Sequence, residues 1–167
     1  MVRLNYFAYG SNMSRERLQK RVPSARVIGV FSLVGYELRF HKIGQDGSAK
    51  GDAFYTGKAF DIILGVLYTI KCSEKKWLDE AEGLGNGYQE KEVSLKGESG
   101  LLTVGFLYYA TNINSALRPF SWYVHHILWG ARIAKLPGRY IKKISRVQTV
   151  EDDDRQRDLL ERSLYAE

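Results

Sequence analysis

The sequence YFAYGSNM, residues 6–13, is the stretch around which the rest of the chain is organised. Residues 4–9 are rich in aromatic side chains and carry no charge, which predicts a buried or half-buried strand. Residues 10–12 are glycine, serine and asparagine, the residue types that best tolerate tight backbone geometry. The pattern therefore predicts a strand that ends in a tight turn.

A short helix is expected directly after this turn. Ser14 can accept a hydrogen bond as its N-cap, and the helix over residues 15–21 must end near Val22 because Pro23 disfavours helical geometry in the residue before it. A strand, a turn and a helix in this order gather several backbone N–H groups at one point. Such a point is suited to a carboxylate, a phosphate or a developing oxyanion.

The next part of the chain reads mainly as strands. Residues 26–40 predict one or two strands interrupted near Gly35, and residues 41–51 predict a polar loop of the hairpin type. Residues 52–56 predict a short strand. Residues 62–70 are nearly all apolar, so we expect a strand buried on both faces in the middle of a sheet or barrel.

A helix and a sharp turn are expected next. Ser73 is a candidate cap for a helix over residues 74–82, and the glycine-rich residues 83–87 predict a turn immediately after it. Residues 88–95 alternate poorly, whereas residues 101–110 predict a clear buried strand.

The C-terminal third reads as helical. Residues 118–134 predict a long, well-buried helix, and Pro137 starts another that runs to about residue 146. Residues 151–167 differ in character, with an acidic run followed by leucines among charges. They predict a peripheral helix with an acidic N-terminus, a frayed end or a dimer contact.

The composition limits the class of protein. A chain of 167 residues is long enough for one domain with its own core. The single cysteine, Cys72, excludes an internal disulfide and a cysteine-based zinc site, and we expect it to be buried as a small apolar residue. No signal peptide and no apolar run near the ~20 residues of a spanning helix are present, so a cytoplasmic location without a membrane partner is expected.

The net charge of +6 is unevenly distributed. Residues 99–150 carry seven basic and no acidic side chains, whereas residues 151–167 carry three basic and seven acidic ones. The basic block suits nucleic acid or an anionic substrate; alternatively the acidic tail folds back and neutralises it, or both are solvated. We favour neutralisation by the tail or solvation of both segments. We expect no nucleic-acid partner, because no recognition motif or stacking platform accompanies the block.

The stretch at residues 6–13 resembles the signature loop of the gamma-glutamyl cyclotransferase family, whose members cleave gamma-glutamyl amides and release 5-oxoproline. Five further segments match that family in order and spacing over residues 6–140: Gly65 to Tyr68, Leu78 to Gly83 with Gly87-Tyr88, Tyr108 to Asn112, Tyr123 to Ile127 with Gly130-Ala131, and Leu136 to Tyr140.

The resemblance implies both a fold and an activity. The fold is a single α+β domain with a mixed-strand, barrel-like sheet and flanking helices, over residues 1–150, with residues 151–167 as a tail or peripheral helix. The activity is a cofactor-independent ring closure on a small gamma-glutamyl substrate. Members of the family are often dimers, so the resemblance also implies a homodimer.

Ring closure of a gamma-glutamyl amide makes modest demands on a protein. The substrate's own α-amine is the nucleophile, so one carboxylate suffices to carry the proton from the attacking to the leaving nitrogen. Sequence alone would make Glu82 an ordinary surface glutamate, but the resemblance assigns it as the catalytic acid/base. The resemblance also implies substrate-binding roles for Tyr9, Gly10, Ser11, Asn12, Tyr88 and Tyr108.

Other chemistry finds less support. With three histidines, of which His125 and His126 are consecutive and face different directions on a helix, no metal site is expected.

A related enzyme acting on a gamma-glutamyl-lysine or an antibiotic-like amine would differ only in its leaving-group pocket. The alternative from another class is a module that holds an anionic ligand on residues 9–12 without turnover.

Overall fold

The computed structural model describes residues 1–166. Five of its strands form a closed barrel in the order β1-β5-β2-β6-β7, and two more form a separate antiparallel ribbon, β3-β4. The strands are β1 (Arg3–Ala8), β2 (Arg26–Val34), β3 (Tyr36–Ile43), β4 (Ala49–Tyr55), β5 (Ile62–Lys71), β6 (Tyr88–Gly97) and β7 (Leu102–Ala110). The helices are α1 (Arg15–Arg21), α2 (Lys75–Glu82), α3 (Ser121–Ile133), α4 (Gly138–Ser145) and α5 (Arg155–Arg162).

The barrel closes through one parallel contact. Tyr6 of β1 pairs with Phe106 of β7, whereas the other barrel pairs are antiparallel. The sheet is therefore mixed, and the predicted α+β domain with a barrel-like sheet and flanking helices is confirmed.

Strand β5 lies between β1 and β2, in the middle of the sheet as its apolar sequence predicts. Val66, Leu67, Tyr68 and Ile70 are buried. Burial on both faces fails at the rim, where Ile62 is 44% exposed, because the strand begins there outside the packed interior.

The prediction of a loop over residues 41–51 is wrong, because the observed turn is shorter. Strand β3 continues to Ile43 and β4 begins at Ala49, so only residues 44–48 form the turn. The polar side chains made these strands look like a loop, because a polar side chain that bonds another one need not face solvent. His41 Nε2 lies 2.7 Å from Asp52 Oδ2, and both residues are buried.

Helix α1 has the predicted ends. The Ser14 hydroxyl accepts a hydrogen bond of 3.2 Å from the Arg17 N–H, and the helix stops at Arg21 before Val22. Helix α2 starts one residue later than predicted, and Ser73 does not cap it, because Cys72–Glu74 form a 3₁₀ turn that leads into it.

Helix α3 begins at Ser121 rather than residue 118 and packs on the signature loop, where Ser11–Met13 form a 3₁₀ turn. Gly130 permits the contact: a Cβ added there would lie 2.4 Å from the Met13 carbonyl carbon and 2.5 Å from the Ser14 nitrogen. Helix α4 follows Pro137, which precedes the helix instead of occupying its first position. The loop is thus held between the barrel and α3.

The tail contains helix α5, which packs on α3. Asp152 is buried. Its carboxylate accepts a hydrogen bond of 2.8 Å from the Trp122 indole N–H and forms an ion pair of 2.6 Å with Arg157. Glu161 Oε2 lies 2.6 Å from Arg17 and 2.7 Å from the buried His126. The tail thus folds back onto α3, but within residues 1–166 no lysine or arginine of the basic block 99–150 forms an ion pair with it; the tail carboxylates pair with Arg17, with His126 and with arginines of the tail itself.

Docking of the tail should weaken in acid. Partial burial acts to raise the pKa of the Glu161 carboxyl, but the His126 hydrogen bond and the Arg17 charge outweigh it and lower that pKa to about 2. A depressed carboxyl pKa adds stability above the unfolded value near 4.5, and this contribution is lost as the pH falls from there towards 2. We expect the wild-type melting temperature, followed by circular dichroism, to drop over that range more steeply than that of Glu161→Gln. Parallel pH curves for the two proteins would contradict this prediction.

Two further sequence expectations have outcomes in the fold. Cys72 is exposed and not buried, because it lies in the 3₁₀ turn before α2 and not in the strand. Within residues 1–166, no helix is long and apolar enough to cross a membrane.

Candidate active site

The signature loop lines a small tyrosine-rich cavity at one end of β1, called here the inner cavity. Its walls are Tyr6, Tyr9, Gly10, Ser11, Asn12, Gly51, Glu82, Tyr88, Tyr108 and Tyr123. All seven residues singled out from the sequence as site candidates therefore line one cavity, although they come from four separate parts of the chain.

Glu82 reaches this cavity as the last residue of α2. Gly83 ends the helix in the left-handed conformation, with φ of +73°, so the chain turns away and leaves the Glu82 side chain at the helix end. The Asn12 amide donates a hydrogen bond of 2.7 Å to Glu82 Oε1, and Arg21 Nη1 donates one of 3.2 Å to the same oxygen. The second oxygen, Oε2, accepts no hydrogen bond within residues 1–166, and the side chain keeps 16% exposure. One oxygen is thus anchored and the other is available.

Asn12 connects the loop to its surroundings. Its amide nitrogen also donates 3.0 Å to the Tyr6 hydroxyl, and its carbonyl oxygen accepts 3.2 Å from Arg21. Arg21 therefore bridges the loop amide and the Glu82 carboxylate. These contacts fix the orientation of both side chains.

The hydroxyl groups of the predicted substrate-binding tyrosines are engaged by the protein. The Tyr9 hydroxyl donates a hydrogen bond to the Tyr108 carbonyl. The Tyr88 hydroxyl donates one of 2.5 Å to the Gly51 carbonyl, and the Tyr108 hydroxyl donates one of 2.6 Å to Asp79 Oδ1. The rings consequently form rigid walls. The expectation that the hydroxyls of Tyr88 and Tyr108 hold substrate stays a prediction.

Tyr123 presents a neutral hydroxyl to the inner cavity. It accepts 2.9 Å from the Gly51 N–H, and a Cβ on Gly10 would lie 3.5 Å from its oxygen. Burial is the largest cause that raises the pKa of Tyr123 to about 12. The group therefore keeps its proton near neutral pH and can donate it to a ligand.

A second, larger cavity of about 470 Å³ adjoins the inner cavity and is also lined by Glu82; we call it the outer cavity. It shares Ser11, Glu82, Tyr88 and Tyr123 with the inner cavity. Its charged lining comes from α1, the β3-β4 ribbon, α2 and the tail: Arg17, Arg21, Lys42, Asp46, Lys50, Glu80, Glu82, Arg157 and Glu161. The Glu82 carboxylate thus lies at the junction of two compartments.

Sequence reasoning missed Tyr6, Arg21, Lys42 and Tyr123. Arg21 is 61 positions from Glu82 and ends a polar helix, where a basic residue is expected for the helix dipole alone. Tyr6 and Tyr123 lie inside the matched segments, so those segments held a signal for them that the other tyrosines of the chain obscured.

The comparisons with known proteins identify the class. Residues 62–144 match the model of the AIG2-like family. Bovine and human gamma-glutamylcyclotransferases are 31% and 32% identical to the chain in alignments of 150 residues that cover 86% of this chain and 78% of each relative. The chain belongs to the gamma-glutamylcyclotransferase family.

Solved structures agree with this placement. A gamma-glutamyl cyclotransferase superposes with a TM-score of 0.86 at 26% identity, covering 97% of this chain and 99% of the other. A yeast gamma-glutamyl cyclotransferase specific to glutathione has a TM-score of 0.65 at 11% identity, covers 86% of this chain and 94% of its own, and shares the fold.

Proposed function

We propose that the chain cleaves gamma-glutamyl amides by intramolecular aminolysis and releases 5-oxoproline together with an amine or amino acid. The observation that carries the proposal is the Glu82 carboxylate, anchored through Oε1 and free at Oε2, at the wall between the two cavities. An anion-binding module gains nothing from a carboxylate in that place, which favours turnover over mere binding.

The reaction follows from this placement. With the glutamyl part in the inner cavity, the α-amino nitrogen attacks the γ-carbonyl carbon and forms the new N–C bond of a five-membered ring. Glu82 accepts a proton from that nitrogen and delivers it to the leaving nitrogen as the old C–N bond breaks. Every atom ends in one of the two products, so the step requires neither water nor a cofactor. Intramolecular attack supplies an effective molarity of up to ~10⁵ M or more when the geometry is held.

Negative charge develops on the γ-carbonyl oxygen during the attack. We assign its stabilisation to the backbone N–H groups of Ser11 and Asn12 and to the Tyr123 hydroxyl, which all belong to the inner cavity. A well-aimed donor of this kind contributes about 3 kcal/mol to the transition state. Gly10 lets the ligand approach this backbone closely.

The three other tyrosines would shape the glutamyl pocket. Because the hydroxyls of Tyr9, Tyr88 and Tyr108 are bonded within the protein, we propose that their rings pack on the glutamyl methylene groups. Arg21 would keep the Glu82 carboxylate oriented between its two proton transfers.

The test is 5-oxoproline release, measured by mass spectrometry, from gamma-glutamyl amino acids, gamma-glutamyl amines and glutathione. We expect release from at least one group, with the amine formed in equal amount. A folded protein that binds these compounds but releases no 5-oxoproline would overturn the proposal in favour of the non-catalytic binding module.

We also propose that the protein is a homodimer with a cytoplasmic location, as the family resemblance implies. The exposed side chains of Leu101, Leu102 and Val104 offer apolar surface at the start of β7 for self-association. Light scattering of the purified protein tests the dimer, and imaging of a tagged protein in its native cell tests the location.

A further inference from the structure

Lys42 has a largely buried side chain, and its ammonium group has no anionic partner within residues 1–166. Its residue is 6% exposed, and its ammonium group makes neither an ion pair nor a hydrogen bond in that part of the chain. The other four cations of the outer cavity each have a carboxylate: Arg17 with Glu161, Arg21 with Glu82, Lys50 with Asp46, and Arg157 with Asp152. Within residues 1–166, Lys42 is therefore the cation of this cavity without a carboxylate partner, and Glu80, which is exposed, is the lining carboxylate without a cation.

A β-bulge explains how a lysine comes to be buried here. The pairing of β3 with β4 shifts register between Phe40 and Lys42, so His41 and Lys42 are both buried although they are consecutive. A bulge of this kind turns a side chain away from the regular alternation of a strand. The insertion thus directs Lys42 into the outer cavity.

The ammonium group is held close to the wall that both cavities share. Its nitrogen lies 4.5 Å from the centroid of the Tyr88 ring, and a Cβ on Gly87 would approach that nitrogen to 3.2 Å. Gly87 has φ of +105°, a conformation that favours glycine, so the close approach depends on this residue. Tyr88 lines both cavities, whereas Lys42 lines the outer one alone.

The Lys42 side chain is largely buried while its nitrogen still reaches the outer cavity, so the charge has lost part of its hydration and a counter-charge would stabilise it. Burial is the main effect on the Lys42 pKa and lowers it, while Glu82 and Asp46 act in the opposite direction. An arriving carboxylate would offset the desolvation. Because the ammonium group makes no hydrogen bond within residues 1–166, its N–H donors are available to such a carboxylate.

We propose that Lys42 binds the carboxylate that a leaving amino acid or peptide carries, and that it is the residue that distinguishes such leaving groups from uncharged amines. The assignment rests on the proposed function, because it places the glutamyl part in the inner cavity and the leaving group in the outer one. Since Lys42 lines only the outer cavity, it distinguishes leaving groups and does not contribute to recognition of the glutamyl part.

The test uses two substrates that differ only in charge, gamma-glutamyl-L-alanine and gamma-glutamyl-L-alaninamide. We expect wild type to favour the acid in kcat/KM by about 10- to 100-fold, the range of a charge-assisted hydrogen bond. Lys42→Met, which keeps the apolar stem, should lose that preference by slowing the acid while the amide stays within threefold of its wild-type rate. Lys96→Met, on an exposed lysine of β6, is the matched control and should behave as wild type.

The outcomes separate this inference from the function on which it rests. Equal rates of wild type on acid and amide, or an equal loss of both in Lys42→Met, would overturn the role of Lys42 while 5-oxoproline release still supports the reaction. If neither compound releases 5-oxoproline, the full substrate panel decides about the reaction, and calorimetric binding of the two compounds to wild type decides about Lys42. In that case, tighter binding of the acid that disappears in Lys42→Met supports the subsite, and equal or absent binding refutes it.

Discussion

Replacement of Glu82 by glutamine is expected to lower kcat for 5-oxoproline release by about 10³- to 10⁴-fold, the upper range for loss of a general acid/base. Glutamine keeps the size of the side chain and an oxygen that can accept from Asn12 and Arg21. It has no basic oxygen to take the proton from the attacking nitrogen. Steady-state rates by mass spectrometry, together with a melting curve, measure the effect.

Glu98→Gln is the matched control for this prediction, since Glu98 is exposed in the β6-β7 turn. It should retain wild-type turnover. A folded Glu82→Gln protein with a rate within tenfold of wild type would show that another group carries the proton.

Replacement of Gly130 by alanine is expected to cost about 3 kcal/mol in the free energy of unfolding, as overpacking of a tight contact does. The added methyl group would meet backbone atoms of Met13 and Ser14 at 2.4 and 2.5 Å, and backbone cannot rotate away as a side chain can. This clash exceeds the ~1 kcal/mol that alanine gains over glycine in a helix. Because the displaced backbone adjoins Ser11 and Asn12, 5-oxoproline release should fall as well.

Urea denaturation measures this loss, with Gly138→Ala as its control. Gly138 opens α4, and a Cβ there would meet nothing within 4 Å, so alanine should leave stability unchanged or raise it by about 0.4–1 kcal/mol. Equal stabilities of the Gly130→Ala and Gly138→Ala proteins would contradict the close packing of α3 on the loop.

Local chemistry made parts of this fold predictable. The cap at Ser14 and the proline at residue 23 define α1 within a few positions, and no distant contact is needed to place its ends. The apolar run of β5 likewise identifies the middle of the barrel, because few strands other than a central one bury so many side chains. The barrel itself followed from the family resemblance and not from these patterns.

Contacts between distant residues account for what was missed. The β3-β4 ribbon contains His41 and Lys50, which resemble residues of a solvated loop until their partners Asp52 and Asp46 are known. Arg21 likewise resembles a helix-terminal charge until the barrel brings Glu82 beside it. Glu82 itself was found through the matched segment around it, since nothing local distinguishes it from Asp79 and Glu80.

The division of the site into two compartments has a consequence for inhibitor chemistry. A compound confined to the inner cavity would meet tyrosine rings and the signature loop, so it should act broadly on relatives that carry that loop. A compound extended past Glu82 would reach the bulge of β3 and the charged residues of α5, and α5 lies outside residues 6–140, over which the family segments occur. Potency would then be set by the inner part of the molecule, and selectivity for this protein by the outer part.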